Sequence, residues 1–269
     1  MKLTYLGTAA SEGFPALFCN CTYCNEARRL GGNNIRTRSQ ALINDDLLID
    51  FPADTYQHFL KNGIEGDRIR YLLITHGHSD HFYPEDLMGR YGDYAHDMRV
   101  PTLQVICSEG TWSKMDTIPK NVALTVVGAF DTVELDGYRI TALPARHMPG
   151  GEPMFYLIEG DKTLLYAHDT GYFYEEVFAY LEKRHIRLDL VSLDCTNVDI
   201  PISDEGGHMG FPNIERVWSR LSAMGAVTGQ TLRYVNHFSH NGNPLHSVLE
   251  ERARTLGCAV AYDGCQVVF

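Results

Sequence analysis

The sequence predicts a mixed α/β (α+β) fold in a single domain spanning residues 1–269. Three observations predict it. Short apolar runs recur between turn-forming clusters and read as strands. Between several of them lie helical patterns, such as 171–184, where Phe173, Val177, Phe178 and Leu181 form one stripe. No linker, low-complexity run or tandem repeat divides the chain, and its length allows a substantial core.

Taken in order, Lys2 to Leu6 reads as a strand leading into Gly7-Thr8-Ala9-Ala10-Ser11-Glu12-Gly13. That loop of small residues lets backbone approach something closely, but it lacks the Gly-Lys-Ser/Thr ending of a phosphate-binding P-loop. Ala41 to Ile43 and Leu47 to Ile49 form a hairpin through Asn44-Asp45-Asp46. Thr55 to Asn62 suits a helix, and Tyr71 to Ile74 a strand buried on both faces. Pro84 to His96 suits a helix with Glu85 and Asp86 in its first turn, and Tyr83, Tyr91 and Tyr94 could line a pocket mouth, although aromatic residues here more often pack. Strands follow at 103–107 and 122–127, then a hairpin over 130–143 turning at Asp136-Gly137. A further hairpin, 154–159 with 163–167, turns at Gly160-Asp161. Beyond the helix at 171–184 come a strand at 188–193, a helix at 213–224, a strand at 231–235, a helix at 244–256 and closing strands at 259–262 and 266–269. Cys107, Cys195, Cys258 and Cys265 read as core or near-core residues, while Arg28, Arg29, Arg36 and Arg38 lie in a Gly/Asn-broken loop and most of them read as solvated.

A formal charge of -11, with no basic arm, argues against long nucleic acids as partners. No signal peptide and no apolar stretch long enough for a membrane are seen, so the expectation is a cytoplasmic protein without membrane contact. Three of the seven cysteines crowd between Cys19 and Cys24, which metal-bound thiolates explain better than a disulfide framework.

The chemistry concentrates in Ile74-Thr75-His76-Gly77-His78-Ser79-Asp80-His81, a loop leaving a strand. His76 and His78 can converge on one point while Asp80 and His81 splay toward a second. Mixed imidazole and carboxylate donors suit zinc, manganese or iron. Separately, Cys19, Cys21 and Cys24 supply three corners of a tetrahedral zinc site, and His240 can offer the fourth. His208 sits between glycines, where order is costly and packing gains little, so it reads as a functional side chain.

His76 to His81 matches the HxHxDH signature of the metallo-β-lactamase superfamily, and the chain resembles that family. The resemblance implies an αββα sandwich with a two-metal site at one edge of its paired sheets. It adds His147, a bridging Asp169 and His237 as ligands, and gives Asp50 the task of bracing the metal loop. One metal is then held by His76, His78, His147 and Asp169, the other by Asp80, His81, Asp169 and His237. Two manganese or zinc ions would make a bridging hydroxide available, with Asp80 and His208 as the candidate catalytic side chains. The cysteine cluster with His240 is similar to that of the phosphoribosyl cyclic-phosphate phosphodiesterases of bacterial phosphonate breakdown. This implies a small phosphodiester substrate, one structural zinc and, by family alone, a homodimer. The chain departs from the pattern at His168, where a small residue is expected, and at 84–118, which is expected to contribute to the substrate pocket. Gly13-Phe14-Pro15 and the cysteines also resemble the pyrroloquinoline quinone biosynthesis B proteins, which tend to lack the full two-metal set. A tRNA 3′-end nuclease would need a basic arm, and a non-catalytic metal- or ligand-binding module would not need His208.

Overall fold

Along β1 (Lys2–Gly7), β2 (Gln40–Ile43), β3 (Leu47–Ile49) and β4 (Tyr71–Leu73), successive side chains leave opposite faces of the sheet. Leu3, Tyr5, Ala41, Ile43, Leu47, Ile49, Tyr71 and Leu73 enter one apolar cluster. Leu6, Leu42, Leu48 and Leu72 enter another on the far side. Both faces are covered, which is why these strands read as continuous apolar runs. The computed structural model describes residues 1–115 and 119–269.

Two seven-stranded sheets result. The first adds β5 (Leu103–Cys107), β6 (Val122–Val126) and β14 (Gln266–Val268), in the order β14-β1-β2-β3-β4-β5-β6. The second comprises β7 (Thr132–Leu135), β8 (Tyr138–Pro144), β9 (Met154–Glu159), β10 (Thr163–Ala167), β11 (Leu190–Asp194), β12 (Leu232–Asn236) and β13 (Ala259–Val260), paired in sequence order. In each sheet an antiparallel half adjoins a parallel half. The sheets pack face to face through the cluster of Leu3 and Tyr5, joined by Tyr156, Ile158, Leu164 and Tyr166.

Helices α4 (Glu175–Lys183), α5 (Phe211–Ala223) and α6 (His246–Thr255) cover the second sheet through Val177, Phe178, Val217, Trp218 and Leu249. Helix α2 (Thr55–Asn62) covers the first with Phe59, aided by Leu87 and by Trp112 of the short α3 (Glu109–Trp112). The architecture is the αββα sandwich. Among the described residues no helix is long and apolar enough to cross a membrane.

Four expectations are corrected. Pro84 to His96 forms two 3₁₀ segments, Pro84–Arg90 and Gly92–Tyr94, because Gly92 adopts φ 60° and breaks the α pattern. Tyr91 and Tyr94 are exposed rather than packed. Arg28 and Arg29, expected in a loop, lie instead on a helix, α1 (Thr22–Leu30), whose N-cap is Cys21. Arg36 is fully buried, not solvated: its guanidinium donates to Thr8 Oγ1 (2.8 Å) and Ala261 O (2.6 Å), meets His246 Nδ1 (3.0 Å) and stacks on Phe238.

Candidate metal centre

Parallel pairing of β10, β11 and β12 brings their carboxyl ends to one edge of the second sheet, where the chain turns out of each strand. Asp169 follows β10, Asp194 ends β11 and His237 follows β12. His147 arrives from β8, and His76, His78, Asp80 and His81 from β4 of the facing sheet. Three of the turns use left-handed backbone at non-glycine residues: Asp50 (φ 65°), Asp169 (φ 49°) and His237 (φ 64°). Such strain persists where the surroundings over-determine it, and here it aims side chains at a common point.

Two sets of donor atoms converge on Asp169, and a third, overlapping set joins Asp169 and His237 to Asp194 and His208. One ligand atom each from His76, His78, His147 and Asp169 lies within 4.8 Å of the others, as does one each from Asp80, His81, Asp169 and His237. Asp169 joins them: Oδ2 is 3.2 Å from His76 Nε2 and 2.7 Å from His81 Nε2, and Oδ1 is 3.1 Å from His237 Nε2. Ring nitrogens also face one another directly, His76 Nε2 with His78 Nδ1 at 2.9 Å and His81 Nε2 with His237 Nε2 at 3.2 Å.

The outer nitrogens explain that inward array. His81 Nδ1 donates to Asp50 Oδ2 (2.7 Å), His147 Nδ1 to Gly207 O (3.1 Å) and His237 Nδ1 to Thr196 Oγ1 (2.8 Å); His76 Nδ1 meets Thr75 Oγ1 (3.0 Å). A proton held outside leaves an Nε2 lone pair inside, the state a metal ligand needs. Asp50 Oδ1 also accepts from Thr75 N (2.8 Å), tying the metal loop to β3. Inside, Asp169 Oδ1 is buried with no hydrogen-bond partner among the described residues. An orphaned carboxylate oxygen amid lone pairs pointed at one another fits two divalent cations and is costly without positive charge.

Burial lowers the pKa of His76 and His147. It acts the same way on His81, but the charges of Asp169, Asp50 and Asp80 outweigh it and raise that imidazole. For Asp169, burial is outweighed by the surrounding imidazoles, which hold it well below the usual carboxylate range.

His208 enters beside these donors. Its loop is tied down: Met209 N donates to Asp194 Oδ1 (3.1 Å), and a Cβ on Gly171 would collide with Gly206 O, so the loop passes directly over the Asp169 turn. His208 Nδ1 lies 3.1 Å from Asp194 Oδ2, 3.2 Å from Thr196 Oγ1 and 3.3 Å from Asp169 Oδ1. Burial lowers its pKa, but the Asp194 charge and hydrogen bond, with Asp169 behind them, outweigh it and raise it to about 9. Asp194 is a candidate site residue that sequence reasoning misses, because there it is an ordinary strand-end carboxylate. Its one signal is that both neighbouring parallel strands deliver candidate ligands at the same level.

His168 points away from this edge. It continues the inward parity of Leu164 and Tyr166, is fully buried between the sheets, and bonds Ser192 Oγ (2.7 Å), which also accepts from Tyr5 OH (2.8 Å).

The three thiols and His240 form a separate group. Each sulfur accepts a backbone N–H: Cys19 from Cys21 (3.4 Å), Cys21 from Cys24 (3.4 Å) and Cys24 from Ala16 (3.3 Å). His240 Nδ1 lies 3.8 Å from Cys21 Sγ and 3.6 Å from Cys24 Sγ. The Cys24 N–H, then His240, lowers the Cys21 thiol to about 6, while burial raises Cys24 to about 12. None of the seven cysteines is in a disulfide. Three thiols with N–H···S support and one imidazole fit one zinc.

A cavity of about 540 Å³ opens over the histidine–aspartate donors, lined also by Ser11, Glu12, Asn197, Ser239 and Asn241. No described residue of 84–118 lines it, against expectation; residues 116–118 lie outside the described residues. Leu87, Ala95 and Met98 instead close an apolar cavity of about 250 Å³ with Phe51, Phe59 and Leu72 on the outer face of the first sheet. Residues 87–98 pack on that outer face, while Gly110 of the same segment donates to Glu152 Oε2 (3.0 Å) and Lys114 lies against Gly77 of the metal loop.

Residues 47–229 match the Beta-lactamase superfamily domain. Over 108 residues the chain is 29% identical to a metal-dependent hydrolase of Thermoplasma acidophilum, covering 38% of this chain and 43% of that protein. The chain spans less than half the length of each curated relative it matches. Among solved structures, a diphosphatase of the PhnP family superposes with a TM-score of 0.75 at 23% identity, over 100% of this chain and 97% of the other. Zinc-bound PqqB from Methylobacterium extorquens superposes at 0.74 with 19% identity, over 100% of both chains. At these identities the two likenesses establish the fold.

Proposed function

The chain belongs to the beta-lactamase superfamily, and on that premise we propose that it is a metal-dependent hydrolase of a small phosphodiester, a cyclic one in particular. The observation that carries the reading is the His208–Asp194 pair standing at one cavity with two complete donor sets. His76, His78, His147 and Asp169 would hold one cation, and Asp80, His81, Asp169 and His237 the other, as manganese or zinc. When bound, such a pair supplies a hydroxide nucleophile near neutral pH and offsets negative charge developing on the substrate.

The remaining work falls to the chain. Asp50, Thr75, Gly207 and Thr196 fix the imidazole orientations. An alkoxide leaving a phosphodiester needs a proton, and His208 is suited to deliver it. Asp194 engages Nδ1, so Nε2 is the atom free to protonate the leaving oxygen, and Asp194 stabilises the imidazolium beforehand. The cavity suits a compact ester, and its described lining contains no Lys or Arg to track a long nucleic-acid backbone. Cys19, Cys21, Cys24 and His240 hold a structural zinc in this reading, and a homodimer remains part of it.

Similarity to PqqB favours one alternative, a role in quinone-cofactor synthesis without phosphodiester turnover. The deciding experiment is a panel of cyclic phosphates, linear phosphodiesters, thioesters and β-lactams, assayed with manganese and with zinc. Turnover fastest on phosphodiesters is expected. Faster cleavage of thioesters or β-lactams, or no turnover at all, overturns the proposal.

A further inference from the structure

We propose that Glu12 is a specificity-determining residue of the cavity, selecting a neutral, hydroxyl-bearing substrate group and rejecting a second phosphoryl group. The kinetic part of this inference rests on the phosphodiesterase reading; the binding part does not.

Glu12 lies on the loop after β1 but is held by the loop after β12. Its Oε1 accepts from Ser239 Oγ (2.6 Å) and from His240 N (3.3 Å), and His240 Nε2 stands 3.9 Å behind it. Backbone bonds clamp the same two segments: Ala10 N donates to Phe238 O (3.0 Å) and Phe238 N to Thr8 O (3.0 Å). The carboxylate is therefore fixed from two ends of the chain, and from its outer side by the imidazole that completes the thiolate cluster. Among the described residues nothing donates to Oε2. The side chain keeps 30% of its surface and lines the cavity beside Ser11 and Asn241.

The charge around it decides what it can bind. No Lys or Arg is among the described lining residues. Arg38, which lines a neighbouring pocket together with Glu12 and His240, is engaged by Ser11 O (2.9 Å) and Asp54 (3.4 Å). A carboxylate with a free oxygen and no Lys or Arg in the same cavity attracts hydrogen-bond donors and repels anions. A cationic donor is disfavoured, because two divalent ions would stand at the same cavity. Hydroxyl groups remain, and the neighbouring Ser11, Asn197 and Asn241 offer neutral partners of the same kind. A second phosphoryl group reaching this wall would face the Glu12 charge, a penalty of roughly 10–100-fold in affinity at about 6 Å in a partly solvated site.

The test uses the manganese-loaded protein and its Glu12→Gln variant. Glutamine keeps an oxygen to accept from Ser239 Oγ, and thermal melting with zinc content checks that the loop is intact. Each protein is titrated calorimetrically with inorganic phosphate, glucose monophosphate and glucose bisphosphate. The wild type is expected to bind the monophosphate more tightly than either other ligand. In Glu12→Gln the bisphosphate-to-monophosphate Kd ratio is expected to fall roughly tenfold or more. A ratio that stays within about twofold, or a wild type that prefers the bisphosphate, overturns the inference. Cyclic esters with and without a second phosphoryl group should show the same shift in kcat/KM. If no ester is hydrolysed yet the Kd ratio shifts, the hydrolytic reading falls and the role of Glu12 stands. If esters are hydrolysed and the ratio does not move, the role of Glu12 falls and the hydrolytic reading stands.

Discussion

Replacing Asp50 by Asn tests whether the metal loop is held by a carboxylate or merely by shape. Asp50 is fully buried and uses both oxygens, Oδ1 accepting from Thr75 N at 2.8 Å and Thr75 Oγ1 at 2.9 Å, Oδ2 from His81 Nδ1 at 2.7 Å. Asparagine fits the volume but has one acceptor. Turned to keep the Thr75 N–H, it presents NH₂ to His81 Nδ1, which must then carry a lone pair. The ring proton moves to Nε2, the atom facing Asp169 and His237. Turned the other way, it sets NH₂ against the Thr75 N–H, a buried donor–donor clash. Loss of such an outer partner costs roughly 10–100-fold in metal affinity, or about 1.4–2.8 kcal/mol. The loss should fall on the set containing His81, while the His76–His78–His147 set and the thiolate set keep their metals. Equilibrium dialysis against graded free zinc, followed by elemental analysis, reads the three classes separately, and circular dichroism checks the fold. Full loading with each affinity within about twofold of wild type would refute the reasoning, as would a loss confined to the His76 set.

Three further outcomes are expected. His208→Ala should leave metal content unchanged and lower kcat by roughly 10²–10⁴, the loss shrinking for nitrophenyl esters; loss of a metal would make His208 a ligand. Cys21→Ser should remove one zinc and lower Tm by roughly 5–10 °C, since a cluster joining residues near both ends of the chain adds its binding energy to folding, while the folded fraction keeps much of its turnover. Equal stability with abolished turnover would reverse that assignment. Arg36→Ala should cost about 3–5 kcal/mol in urea unfolding, because it leaves buried Ala261 O without this donor and removes a positive charge acting on Asp263; a cost below about 1 kcal/mol would show that the buried guanidinium is dispensable.

The sequence by itself determined what lies within a few residues. Two spacings, His76 to His81 and Cys19 to Cys24, carry their chemistry in the local chain, because a short loop can bring its own side chains together without help. Strand runs were equally legible, since burial on both faces leaves them apolar throughout. Only the tertiary structure decided what depends on distant partners. Asp169 and His237 read as ordinary single residues until parallel pairing places their strand ends at one edge, and His147 until the antiparallel strand β8 ends beside them. Asp194 acquires its meaning from His208 on a separate loop, and Glu12 from Ser239 at the other end of the chain. Arg36 looked solvated because its loop is polar, yet its four partners come from elsewhere in the sequence. The parity of β10 was visible in the sequence, but not which of its faces meets the other sheet, and that choice sends His168 into the core and leaves Asp169 at the edge.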